Sequence, residues 1–396
     1  MAIETTRRRQ AADDWYDESA EGDDDEYPIG QYDITASPND FNVLTIYNFI
    51  ESGAVRIPGF QRNYVWDIKR ASKLIESLII GLPVPQLFLY EESRNRFLVI
   101  DGQQRLMSIY YFIKQRFPRP EKRTELRRLA AAQGTLPLGI LENDAYFTRF
   151  NLKLPPVVQS QPNRFDGLNY STLGEYKTAF ELRTIRNVIV KQISPKDDDS
   201  SIYELFNRLN TGGVNLTAQE IRMSLYHSDF YEMLVRVNIN AEWRRLLGIP
   251  EPDSHMKDIE FFLHGFAMLE DGAGYASPMI KFLNGYSKKA KAYPGDRVSY
   301  LEGLLGSFLT SCSALPDNAF FSASNRFSVS VFEAVFAAVC SAPHGEGRLV
   351  AGRIDPDSVA RLKVDPAFAQ AVGLRTANKE QVSLRLARAR DLVGIR

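Results

Sequence analysis

Apolar side chains recur at helical spacing in three segments between residues 40 and 113. The first, DFNVLTIYNFIESGAV, predicts an amphipathic helix that ends at Gly53. The second, DIKRASKLIESLIIGLP, predicts a helix that stops at Gly81 before a proline. The third predicted helix starts after Gly102 and continues through Phe112. Because each helix has an apolar face, we expect all three to pack against other elements of a folded domain.

Strand signals lie between and after these helices. The stretch VRIPGFQRNYVW predicts a short strand that enters a loop, residues 87–100 predict a β-hairpin, and residues 187–194 predict a further strand. Thr217, with Glu220 three residues later, has the capping-box pattern of a helix start. From about residue 225 helical periodicity dominates the chain. The pattern predicts an α+β N-terminal domain followed by a mostly helical C-terminal domain.

The N-terminal segment differs from the rest of the chain. Three arginines at 7–9 precede the dense acidic run DDWYDESAEGDDDE, a composition typical of a disordered arm. A second hypothesis is that this acidic arm covers a basic groove of the same protein by imitating phosphates. The domain limits predicted from the sequence are therefore 1–30 for the arm, 31–225 for the α+β domain and 226–396 for the helical domain.

Composition excludes several classes of protein. With 44% hydrophobic residues, 24% charged residues and a net charge of −1, the chain is typical of globular domains and has no overall basic signature for nucleic acid. Its two cysteines, Cys312 and Cys340, exclude a disulfide framework, and its four histidines are scattered. No apolar run reaches about 18 residues, and the start lacks an apolar signal region, so we expect a cytoplasmic protein without membrane association.

Three polar clusters interrupt the apolar pattern of the α+β domain. They occur in IPGFQRNYVW, in DGQQR and in LFNRLNTGGVNLTAQEIR, and they are rich in the arginine and amide side chains that bind anions and bases. The candidate site residues are Gln61, Arg62, Tyr64 and Trp66 in the first cluster, Asp101, Gly102, Gln103, Gln104 and Arg105 in the second, and Asn207, Arg208, Asn210, Thr211, Gly212, Gly213 and Arg222 in the third.

The DGQQR cluster has the chemistry of a phosphate site. A strand followed by a helix leaves backbone N–H groups at the positive end of the helix dipole, where oxyanions bind. Arg105 can bind phosphate with two hydrogen bonds, and Asp101 can hold a Mg²⁺ ion that bridges phosphate oxygens. Gln103 or Gln104 can read a base or orient a water molecule. The glycine turn TGG offers a second set of N–H groups to an anion.

A structural alternative explains the same residues. Asp101 can cap the helix, and Arg105 can pair with Asp101 or with Glu76, so that the cluster only fixes a turn. The sequence leaves both interpretations open, because it does not show whether the three clusters meet in space.

The segments IPGFQRNYVWD, FLVIDGQQRLMSI and LFNRLNTGGVNLTAQEIR resemble the DUF262 family, whose ParB/sulfiredoxin-like domains occur in anti-phage proteins such as the GmrSD-type restriction enzymes. The resemblance covers residues 40–230. It implies a ParB-like fold that binds and hydrolyses a nucleoside triphosphate with Mg²⁺ and thereby controls DNA cleavage. It also implies that residues 101–105 carry the hydrolysis and that Gln61, Arg62 and Tyr64 line the same pocket. The third cluster is predicted to bind the nucleotide as well.

The helical half departs from many relatives, which carry a DUF1524 nuclease domain with a His-Asn-His metal site. After Ala267 the chain has one histidine, His344, without the neighbouring ligands that this chemistry needs. We therefore expect that this chain does not cut DNA in that way: either a separate nuclease or effector subunit cuts, or this chain is a sensor or regulator. DNA, such a subunit and a second copy of the chain are its expected partners. Alternatively, it is a non-catalytic scaffold or a DNA-binding module that uses the arginine-rich segments 119–128 and 381–390.

Overall fold

Two compact units make up the protein: one contains residues 29–216, and the other joins residues 1–28 to residues 217–396. The computed structural model describes residues 15–17, 33–56, 64–123, 125–126, 138–156, 161–194, 201–202, 205, 217–253, 255–373 and 376–396.

The described residues of the unit 29–216 form seven strands. The strands are β1 (Asp33–Asn42), β2 (Val55–Arg56), β3 (Leu87–Ser93), β4 (Arg96–Asp101), β5 (Arg116–Pro118), β6 (Phe147–Arg149) and β7 (Thr184–Ser194). One sheet has five strands in the order β1-β7-β3-β4-β2, and β5 pairs with β6 in a separate two-stranded sheet.

The direction of the central strands decides where the polar clusters can meet. Strands β3 and β4 form the predicted antiparallel hairpin, whereas β2 runs parallel to β4, with Val55 opposite Phe97 and Arg56 opposite Leu98. The C-terminal ends of β2 and β4 therefore lie on the same side of the sheet. The first polar cluster follows β2 and DGQQR begins at the end of β4, so both clusters begin on that side.

Three of the described helices of this unit lie where the sequence predicts helices, and two short ones were not predicted. The helices are α1 (Val43–Glu51), α2 (Ile68–Ile80), α3 (Gln103–Ile113) and the two short ones, α4 (Leu138–Leu141) and α5 (Tyr176–Glu181). Asn42 and Asp67 accept hydrogen bonds from backbone N–H groups at the starts of α1 and α2, and Gly81 ends α2 in the left-handed conformation. The apolar faces of α1, α2 and α3 enter one hydrophobic core, which includes Ile75 and Phe112.

Strand β1 is an element that the sequence did not predict. Its segment DITASPNDFN is polar and contains Pro38, which has no N–H group to donate to a neighbouring strand. The structure accommodates this proline because β1 lies at the edge of the sheet and pairs only with β7, in an antiparallel register from Asp33 to Asn42.

The second unit is helical, as the periodicity predicts, and with the mixed first unit it confirms the α+β class. Thr217 and Glu220 form the predicted capping box. Within the described residues, none of the helices has both the length and the apolar character needed to cross a membrane. The helices are α6 (Ala218–Leu225), α7 (Asp229–Val237), α8 (Ala241–Leu247), α9 (Lys257–Asp271), α10 (Met279–Ala290), α11 (Gly295–Ser311), α12 (Val329–Gly345), α13 (Pro356–Val364), α14 (Pro366–Gly373) and α15 (Lys379–Leu392).

The limits of the units differ from the predicted domains in two places. The helical unit begins at Thr217 rather than at 226, because α6 belongs to it and Thr217 bonds to the backbone carbonyl of His255. Residues 15–17, which the sequence assigned to a disordered arm, are ordered and pair with Phe327 of the helical unit. The acidic composition around them concealed two aromatic side chains that pack against the protein.

Two arginines of α15 stabilise the fold. Arg385 is buried, and its Nε donates to Glu333 Oε1 over 2.8 Å, while Glu333 Oε2 lies 2.8 Å from His264 Nδ1. Arg388 is more exposed and pairs with Asp365 over 2.7 Å. These ion pairs engage two of the arginines that the sequence offered as a DNA-binding helix, so they give that hypothesis no support.

Candidate functional site

The DGQQR motif occupies a sharp turn between β4 and α3. Gly102 is the N-cap of α3 and has a left-handed backbone with φ +103°. Residues other than glycine adopt this conformation only at a cost in energy. A Cβ atom at this position would overlap Cδ2 of Leu87. Glycine has no side chain that could cap the helix. The N–H groups of the first turn lie at the positive end of the helix dipole.

Asp101 and Arg105 form an ion pair across this turn. Nη2 of Arg105 donates to Oδ2 of Asp101 over 2.7 Å, and Nη1 donates to the backbone carbonyls of Pro85 and Gln86. The Arg105 side chain is 11% exposed and that of Asp101 is 37% exposed. This pairing is one of the structural alternatives that the sequence left open, and Glu76 accepts from Asn163 instead. Arg105 thus connects α3 to the segment that leads into β3.

Gln104 connects the second cluster to the first. Its Oε1 accepts hydrogen bonds from the backbone N–H groups of Val65 over 3.0 Å and Trp66 over 3.4 Å. This oxygen is already engaged, so Gln104 serves better to hold the 64–66 segment than to orient a water molecule. Gln103 precedes it on the first turn of α3 and is partly exposed.

A chain of hydroxyl groups strengthens the same connection. Ser108 donates to the backbone carbonyl of Gln104 over 2.7 Å, and the hydroxyl of Tyr64 lies 2.8 Å from Ser108 Oγ, so the tyrosine must be the donor in that bond. Burial raises the pKa of Tyr64, which keeps the phenol neutral near pH 7. The bond to Ser108 therefore gives Tyr64 a role in positioning the segment 64–66.

Replacing Tyr64 with phenylalanine tests this positioning role. Only the hydrogen bond to Ser108 is lost, while the ring stays buried, so we expect the free energy of unfolding to fall by about 1 kcal/mol. Urea denaturation of the two proteins measures the difference. Tyr176, which is less buried and packs against Phe165, offers a control, and Tyr176→Phe should change stability by less. Equal stability of Tyr64→Phe and the wild type would remove Tyr64 from this network.

Two further cations surround Trp66. Arg123 donates from Nη2 to the Trp66 carbonyl over 2.9 Å, and its guanidinium lies 5.4 Å from the centre of the Tyr64 ring. The guanidinium of Arg70 lies 4.6 Å from the centre of the Trp66 ring. Burial lowers the pKa of Arg123, although an arginine still carries its charge at neutral pH. Tyr64 and Trp66 of the first cluster therefore lie next to two positively charged side chains.

Of the other predicted site residues, Arg222 lies in the described part of the chain. Arg222 is fully buried in the helical unit, where it bonds to Gln219, Asn284 and Glu260. These bonds give it a structural role, and its assignment as a nucleotide ligand stays a prediction. The remaining candidates lie outside the described residues: Gln61, Arg62, Asn207, Arg208, Asn210, Thr211, Gly212 and Gly213.

Asp101 could hold a magnesium ion if water and the phosphates of a bound nucleotide supply the other ligands. In the part of the chain that the structure describes, no group of three or more histidine, cysteine, aspartate or glutamate side chains could hold a metal ion. Asp101 uses Oδ2 for Arg105, and its Oδ1 has no hydrogen-bond partner among the described residues. A single carboxylate suits Mg²⁺, which commonly completes its shell with water and substrate phosphates.

Residues 43–227 match the family model of the N-terminal domain of the GmrSD restriction endonuclease. Over these residues the chain is similar to the N-terminal domain of that enzyme. The match confirms the resemblance that the motifs indicated, and it includes Tyr64, Trp66 and the whole DGQQR turn. The chain is also similar to an uncharacterized protein of Methanocaldococcus jannaschii, with 23% identity over 239 residues. That alignment covers 47% of this chain and 41% of the relative.

Three residues of this GmrSD-type domain were not predicted as part of the site. Leu87 packs beneath Gly102, Ser108 connects Tyr64 to α3, and Arg123 holds the Trp66 carbonyl. The basic character of residues 119–128 was visible in the sequence. The contact between Arg123 and Trp66 was not visible in the sequence, because no local pattern encodes a contact between residues more than 50 positions apart.

Proposed function

We propose that the GmrSD-type domain binds a nucleoside triphosphate at the DGQQR turn and hydrolyses it with Mg²⁺. The observation that carries this proposal is the turn itself: Gly102 starts α3 in the left-handed conformation without a side-chain cap, directly after Asp101 at the end of β4. A helix start of this kind stabilises phosphate oxygens, and the carboxylate supplies a ligand for the cation that phosphates bring.

The described residues divide into contacting and positioning groups. Backbone N–H groups of residues 103–105 would contact the phosphates, Asp101 would hold the magnesium ion, and Gln103 would orient the water molecule. Arg105 is a positioning residue that fixes Asp101, and Gln104 fixes the segment 64–66. Arg62, which precedes Tyr64 by two positions in the sequence, stays a proposed phosphate ligand. Phosphoryl transfer needs mainly such positioning and charge stabilisation.

The family indicates the biological setting of this activity. Its name describes a restriction endonuclease, so we propose that the protein takes part in bacterial defence against foreign DNA, as a sensor or regulator. Nucleotide hydrolysis would then report a state of the DNA to a separate nuclease or effector subunit. This division of labour rests on the sequence of the helical half, which carries no His-Asn-His pattern.

Phosphate release by the full chain tests the proposal. We expect Mg²⁺-dependent release from at least one of the four nucleoside triphosphates, and a fall of about 10²-fold in Asp101→Asn. This variant keeps a side chain that can accept from Arg105 but loses the charge that binds the metal. Malachite green detection with each nucleotide, with and without duplex DNA, gives the rates.

The pair between Arg56 and Glu92 supplies a matched control. Glu92 accepts from Nη2 of Arg56 over 2.5 and 2.6 Å on the same sheet but away from the DGQQR turn. Glu92→Gln removes one negative charge from a comparable ion pair, and its phosphate release should stay within about twofold of the wild type, in line with the small value of partly exposed pairs. Equal losses in both variants, or full activity in Asp101→Asn, would contradict the assigned role of Asp101.

A further inference from the structure

Residues 15–17 extend a β-bridge of the helical unit by one strand. Asp17 N donates to the carbonyl of Phe327 over 2.8 Å, and Phe327 N donates to the carbonyl of Trp15 over 3.0 Å, which gives a parallel bridge between Tyr16 and Phe327. Phe327 also bridges Phe321 in antiparallel fashion. The segment therefore adds to a β-bridge of the unit through its own backbone, as peptides do in strand addition.

Side chains give this contact its specificity. The rings of Trp15 and Tyr16 meet Phe261 edge to face, at centroid distances of 5.6 and 5.8 Å, and Phe261 stacks on Phe327 at 5.0 Å. Tyr16 is only 8% exposed. Nζ of Lys257 lies 5.6 Å from the centre of the Tyr16 ring. The surface formed by Phe261, Phe327 and Lys257 is called the aromatic groove below.

Electrostatics extends the match beyond the two rings. Oδ2 of Asp17 accepts from Ser324 Oγ over 3.3 Å. In the sequence, Trp15 and Tyr16 are the only aromatic residues between positions 13 and 26, where the other residues include nine aspartates and glutamates and no lysine or arginine. This short anchor buries the Tyr16 ring, leaves Trp15 partly exposed and must order its own backbone, which limits how tightly it binds.

We propose that the aromatic groove is a docking site for an extended peptide with two aromatic residues followed by an acidic one. Its occupant in this protein is Trp15–Asp17, which fastens the acidic arm to the helical unit as a releasable latch. The groove is distinct from the DGQQR turn, and the proposal does not depend on nucleotide binding.

Peptide binding in trans tests the latch. The double variant W15A/Y16A of the full chain vacates the groove, and a fluorescein-labelled peptide of residues 10–22 is then titrated and followed by anisotropy. We expect saturable binding to the variant and at least about 10-fold weaker binding to the wild type, because the tethered arm competes at a high effective concentration. A peptide with alanine at both aromatic positions should not bind.

Two results would overturn the proposal: equal affinity for the wild type and the double variant, or equal binding of the alanine peptide. Circular dichroism confirms that the variant is folded. Should the double variant fail to fold, the single change Trp15→Ala is followed by hydrogen exchange at the Phe327 amide, whose bond to the Trp15 carbonyl depends on docking. Faster exchange there supports the latch, and unchanged exchange contradicts it.

Discussion

Replacing Gly102 with alanine is expected to lower the free energy of unfolding of the GmrSD-type domain by roughly 2–4 kcal/mol. Two costs add at this position. The backbone has φ +103°, which an alanine adopts only with strain, and the new Cβ would overlap Cδ2 of Leu87, a side chain buried in the core. Because the turn then has to shift, we also expect nucleotide binding to be lost. Urea denaturation and a nucleotide titration measure the two effects.

Gly167 offers a control that separates strain from overlap. It has φ +78° in the same unit, but a Cβ there would meet no atom within 4 Å, so Gly167→Ala should cost only about 1 kcal/mol. Combining Gly102→Ala with Leu87→Ala should destabilise by less than the sum of the two single changes, since the smaller side chain removes the overlap. A Gly102→Ala protein as stable as Gly167→Ala would show that the turn is not tightly packed.

Replacing Arg385 with alanine is expected to destabilise the helical unit by about 3–5 kcal/mol. The change leaves Glu333 as a buried carboxylate that keeps only His264 as a partner from the ion-paired cluster. Arg388→Ala on the same helix is the matched control, and it should cost only about 1 kcal/mol or less because its pair with Asp365 is partly exposed. Thermal or urea denaturation of both variants makes the comparison. Similar losses in the two variants would contradict the structural role of Arg385.

The pH dependence of stability provides an independent check on the same cluster. Burial alone would raise the pKa of Glu333, but Arg385 and His264 together lower it below its ordinary value. A carboxylate with a lowered pKa in the folded state contributes stability above the pKa of the unfolded chain, and that stability is lost as the pH falls through the folded value. We expect Arg385→Ala to weaken this acid-side loss, which denaturation curves between about pH 3 and 7 would record.

Much of the fold was predictable because local patterns and tertiary packing agree. The helices Ile68–Ile80 and Gln103–Ile113 follow their apolar spacing, and Gly81 marks the end of the first. Strand β1 was missed because an edge strand with a proline has no alternating apolar pattern. The order of residues 15–17 was missed for another reason. The strongly acidic composition around them predicted disorder, and the partner of the two aromatic residues lies some 300 positions away in the sequence.

The candidate site was predictable in its location but only partly in its chemistry. A strand, a glycine and a helix in succession indicated an anion-binding turn, which the backbone of Gly102 matches. The sequence could not decide whether Arg105 pairs with a phosphate or with Asp101, because both are anions that an arginine can bind. The role of Gln104 depends on residues 65 and 66 lying within hydrogen-bond distance of α3, and that follows from tertiary structure alone.

Hydrogen–deuterium exchange at the backbone amides of Gln103, Gln104 and Arg105 tests the central claim most directly. The exchange of the purified full chain is compared with and without a saturating Mg²⁺ complex of each nucleoside triphosphate. We predict slower exchange at these three amides with at least one nucleotide, because phosphate oxygens accept hydrogen bonds from them, and no such protection in Asp101→Asn. Unchanged exchange at the three amides with every nucleotide would contradict a phosphate site at the DGQQR turn.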